Sequence, residues 1–221
     1  MNTKRVLISF GITVAILCSS GCKKEGEQPP PFSTPEEAAN KGKSDLLSLL
    51  RSRKDVALGF EEQTIEKAEP ATPIRQFQIT FEDLMAAGSF AGLKHNELAT
   101  VVPLVAGDTV ATVVGVVKGE AGWRVASLAD KSLSSELDIV RKAAGSQADI
   151  AIYNLPHSGV KVYGVTPAGA GEAAAVFYTN YTGFNVREAV PTDPLLPVIK
   201  QDAAEFQRTY AEELKRRKLA R

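Results

Sequence analysis

Residues 98–117 read LATVVPLVAGDTVATVVGVV, and nothing else in the chain so narrows what it can become. Two β-branched runs, 98–106 and 109–117, flank Gly107-Asp108. Such runs around a Gly-Asp pair predict an antiparallel hairpin. A second turn at 119–122 leads into a third strand over 123–128, so the centre of the chain predicts an antiparallel meander. A further strand is predicted at 74–81, where Phe77, Ile79 and Phe81 alternate with Gln76, Gln78 and Thr80.

Helical spacing brackets these strands. Thr34-Pro35-Glu36-Glu37 is a helix start: Thr34 can cap, Pro35 suits the first position, and Glu37 completes a capping box. Ala39, Leu46, Leu47 and Leu50 then recur at helical intervals to about residue 54. Short helices are expected at 61–68 and 82–87. A longer one, carrying Leu133, Leu137, Val140 and Ala144, should end at Gly145. Strands are expected again at 149–155, 160–166 and 173–180, with a weaker one at 184–190. A final helix from about Asp193 shows Ile199, Ala203, Phe206, Tyr210 and Leu214 on one stripe. The fold class is therefore α+β, a largely antiparallel sheet with packed helices. The order of strands then helix occurs twice, and GWRVASLAD and GFNVREAVP both place an aromatic after Gly. This makes 36–146 and 147–221 candidate halves of a structural duplication within one domain, 36–221.

The first 35 residues follow other rules. Lys4 and Arg5 form a basic head, and VLISFGITVAIL follows without a charge. A helix needs roughly 20 apolar residues to span a membrane core, so this run is too short; head, core and the small residues after it fit a secretory signal peptide over 1–21. The junction Ser19-Ser20-Gly21-Cys22 resembles the lipobox of bacterial lipoproteins, with Ser20 and Gly21 at the cleavage site and Ser19 where Leu is usual. The resemblance implies that Cys22 becomes the first mature residue and carries lipid, and that the protein sits on a membrane of the cell envelope. That would be the outer face of the cytoplasmic membrane or the periplasmic face of the outer membrane. Two acyl chains hold a protein stably to a bilayer. Residues 22–35, CKKEGEQPPPFSTP, are rich in charge, Gly and Pro and should form a tether.

Composition limits the remaining function classes. The chain has 26 basic and 26 acidic residues. Removing residues 1–21 takes two basic and no acidic ones, which leaves a charge of −2. That is no electrostatic footprint for nucleic acid. Both cysteines, Cys18 and Cys22, lie in the leader region, so neither a disulfide nor a thiolate metal site is expected in the body. The sequence has no nucleophile elbow, phosphate loop, zinc helix motif or dinucleotide fingerprint. His95 and His157 stand on separate loops, and Leu155 to Gly159 reads as a Pro-Gly turn. No catalytic residue, metal or cofactor is assigned.

One bias remains. Tyr153, Tyr163, Phe177, Tyr178, Tyr181 and Phe184 crowd the second half. Neighbours on a strand face opposite sides, so Phe177 and Tyr178 diverge. Tyr178, Tyr181 and Phe184 are the candidate contact surface, for an envelope protein or polymer. The sequence thus points to a lipid-anchored binding or structural module, with a lipid-anchored hydrolase as the alternative.

Overall fold

The computed structural model describes residues 31–52, 59–93, 96–145 and 147–219. Ser20, Gly21, Cys22 and His95 lie outside them. The described chain is α+β. Its helices are α1 (Pro35–Ser52), α2 (Glu62–Lys67), α3 (Phe81–Ala86), α4 (Lys131–Ala144) and α5 (Thr192–Leu219). Its strands are β1 (Glu69–Pro70), β2 (Ile74–Gln78), β3 (Glu97–Ala106), β4 (Thr109–Gly119), β5 (Gly122–Leu128), β6 (Asp149–Asn154), β7 (Lys161–Thr166) and β8 (Val176–Thr179).

All eight strands share one sheet, ordered β5-β4-β3-β2-β6-β7-β8, with β1 also paired to β3. Every pairing is antiparallel except β2 with β6, which is parallel and aligns Phe77 with Tyr153. The central hairpin forms as predicted, with Ala106 opposite Thr109. The first helix starts as predicted too: Glu37 N–H donates to Thr34 Oγ1 at 3.2 Å, and Glu37 Oε2 accepts from Ser33 N–H at 2.9 Å. Asp130 caps α4 through Leu133 N–H at 2.9 Å. Gly145 closes it at φ 85°, a left-handed value that favours glycine.

Helices cover both faces of the sheet. On one face α4 lays Leu133, Leu137 and Val140 over Val101, Val113, Ile150, Ile152, Tyr163 and Tyr178. On the other, α1 sets Ala38 and Ala39 against Val102, Leu104, Val114 and Val116. On that same face α3 and α5 cover Phe77, Tyr153, Val162 and Phe177 with Leu84, Leu195, Leu196 and Ile199. Burial of a large apolar side chain contributes about 1.5–3 kcal/mol, so these three clusters hold the fold.

Four expectations need correcting. The tether does not reach residue 35. Phe32 exchanges two 2.8 Å backbone hydrogen bonds with Trp123 on edge strand β5, and the folded unit begins at Pro31. The stretch 184–190 is not a strand; its end, Val190, bridges Phe177 on the opposite edge, β8. The paired letters of the candidate halves also part company. Gly122-Trp123 opens β5, whereas Phe184 closes a turn by donating to Tyr181 O at 2.8 Å. The two stretches share one sheet through β2 and β6, and α4 and α5 pack on opposite faces. Finally, Tyr178, Tyr181 and Phe184 do not form one surface. Tyr178 is buried under α4, while Tyr181 is buried on the α5 side with Phe184 partly buried beside it. Because both faces of the sheet are covered, alternation along β8 sends Phe177 and Tyr178 into two cores rather than into core and solvent.

Candidate functional site

Two recesses lie on the α5 side of the sheet. The first is a cavity of about 450 Å³ at the start of β6 and the end of β7. Its floor is made of small residues, Ala151 and Gly164. A Cβ placed on Gly164 would stand 3.0 Å from Tyr153 Cε2 and 3.1 Å from Phe177 Cε1, so the missing side chain there is part of how the space is kept. Its walls are aromatic. Phe90 packs on Phe177 with ring centroids 4.5 Å apart and on Tyr153 at 5.4 Å. Its rim carries Asp149 from β6, Glu172 from a 3₁₀ turn (Glu172–Ala174) and Asp193 from the first turn of α5.

Tyr153 is the buried polar residue among those that line this cavity. It is 1% exposed, and its hydroxyl takes no hydrogen bond among the described residues. Its pKa is raised, first by burial and then by the negative charge of Glu172. Asp149 adds to this and Arg75 opposes it. The phenol therefore stays neutral beside a negative rim.

The second recess is a shallower groove between the turn after β6, the end of β8 and α5. Three side chains form a chain across it. Tyr181 Oη donates to Asp202 Oδ2 at 2.9 Å and lies 2.7 Å from His157 Nε2. The phenol has a single proton, given to the carboxylate, so His157 Nε2–H is the donor to Tyr181. The other ring nitrogen, Nδ1, is then an acceptor; it is buried and has no partner. Phe81 and Phe206 flank the imidazole, each at 6.3 Å. Burial lowers the His157 pKa below its usual value, against the opposing pull of Asp202. Burial and then the Asp202 hydrogen bond push the Tyr181 hydroxyl up.

Of the residues singled out in the sequence, Tyr181 and His157 are brought together here. Ser158 is turned to its own loop, accepting from Val160 N–H at 3.0 Å. Phe184 sits near but outside the network, and Tyr178 is on the far face. The cavity was missed. Its residues span Gly88 to Asp193, and no local spacing connects them. Glycine within the apolar strand KVYGVT was the one local hint, since a glycine inside a strand marks a close approach.

No family model, curated protein or solved structure matches this chain.

Proposed function

We propose that the protein is a lipid-anchored component of the cell envelope whose folded body is a binding module. The observation that carries this reading is the junction at Cys22: a charge-free run from Val6 to Cys18, then Ser-Ser-Gly-Cys, then Lys-Lys-Glu-Gly-Glu. The start of the body supports it. Pro31 opens the folded unit, and residues 22–30, rich in charge, Gly and Pro, would be the link to it. At no more than 3.6 Å per residue, such a link reaches about 30 Å. Among the described residues no helix is long and apolar enough to cross a membrane, so acyl chains on Cys22 would supply the attachment. The cavity behind Asp149 and Asp193 supplies the binding role.

Metabolic labelling with a fatty acid tests the anchor. Wild type and Cys18→Ser should take up label and Cys22→Ser should not. Equal label in wild type and Cys22→Ser overturns it.

A lipid-anchored hydrolase is the second reading, favoured by a histidine with a lowered pKa beside Asp202. In the geometry present, Nε2 is engaged by Tyr181 and Nδ1 is closed off from solvent. No base nitrogen faces the groove, which favours the binding reading. Turnover of a model ester that is lost in His157→Gln would reverse that preference.

A further inference from the structure

We propose that the cavity beneath Phe90 binds a protonated amine carried on an apolar or aromatic stem. This deepens the binding-module reading and rests on it. The stem would lie between Phe90, Tyr153 and Phe177, and the ammonium would meet Asp149 and Asp193 at the rim.

Three observations carry the assignment. The first is the hydroxyl of Tyr153, a residue 1% exposed that lines the cavity; it makes no hydrogen bond among the described residues. Its oxygen is left to accept from a donor that enters the cavity. The second is the charge at the mouth. Among the described residues, Asp149 and Asp193 have no ion pair or hydrogen-bonding side chain. The N-terminus of α5 brings a fractional positive charge of about one half, and these two carboxylates outweigh it. An anion is therefore disfavoured. The third is the match of groups. An ammonium has donors and no acceptor, while the phenol oxygen and the carboxylates offer acceptors. The aromatic faces add a cation–π attraction. A bare metal ion fits less well, since no three His, Cys, Asp or Glu among the described residues are placed to hold one.

The test uses three probes with the same aromatic stem: phenethylammonium, phenethyl alcohol and phenylpropionate. Each is titrated by calorimetry into the full-length chain in non-ionic detergent, with detergent alone as the blank. The amine should bind about ten-fold more tightly than the alcohol, equivalent to about 1.4 kcal/mol, and the carboxylate should bind most weakly. The Asp149→Asn/Asp193→Asn double variant should bring amine and alcohol within about two-fold. Tyr153→Phe, which keeps the ring, should weaken the amine several-fold, and thermal melts confirm that each variant is folded. Going from about 50 to about 500 mM NaCl should weaken the amine and spare the alcohol. Equal binding of amine and alcohol, tighter binding of the carboxylate, or no binding of any probe at millimolar concentration overturns the proposal. Those failures leave the Cys22 labelling result untouched, so loss of this ligand and loss of the anchor are separate outcomes.

Discussion

The two recesses on the α5 side are built from similar parts and finished differently. Each has aromatic walls, a tyrosine and carboxylates. In the groove the tyrosine is spent internally, with His157 on one side of its hydroxyl and Asp202 on the other. In the cavity the Tyr153 hydroxyl has no hydrogen-bonding partner among the described residues. The difference separates a polar network that ties α5 to the sheet from a polar group that awaits something else. The Tyr181 hydroxyl is already engaged on both sides, whereas the Tyr153 hydroxyl is left to meet a ligand.

The largest effect that sharpens this comparison comes from a wall the cavity shares with the core. Phe90 is fully buried against Tyr153 and Phe177, and Phe90→Ala should cost about 3–5 kcal/mol in urea denaturation. Next come the two tyrosines, replaced in the same way. Tyr181→Phe strands the His157 N–H and removes a donor from Asp202, and should cost about 1–3 kcal/mol. Tyr153→Phe removes an unpaired hydroxyl and should leave stability within about 0.5 kcal/mol of wild type. Equal losses in the two variants would erase the distinction.

A smaller effect is set by pH. Burial holds His157 below its ordinary value of about 6.5. The unfolded chain therefore takes up the proton first as pH falls. Stability from this group is complete above that value and declines as pH drops through it toward the folded value. Denaturation midpoints should fall more steeply between pH 7 and 5 in wild type than in His157→Gln. Smallest of all, Asp149→Asn and Asp193→Asn change exposed side chains. They should move stability by no more than about 0.5 kcal/mol, because their work is on a ligand.

Much of the fold could be read from residues close in sequence. The Gly107-Asp108 hairpin, the Thr34 start of α1 and the Gly145 stop of α4 each depend on chemistry within a few positions. The order of strands did not. Nothing local tells β2 to lie parallel to β6, about seventy residues further on. The candidate contact surface failed for a related reason. Parity correctly sent Phe177 and Tyr178 to opposite sides, but a strand with helices over both faces has no solvent side for the second residue. The cavity lay beyond local reading altogether, because Phe90, Asp149, Gly164 and Asp193 meet only after the sheet has assembled and α5 has folded back over it.

The outer margins of the sheet are closed by single bridges, Phe32 on β5 and Val190 on β8. A foreign strand seeking to extend the sheet would first have to displace one of these segments, each held by a pair of 2.8 Å hydrogen bonds. At those two positions the fold is guarded against pairing edge to edge with its own copies.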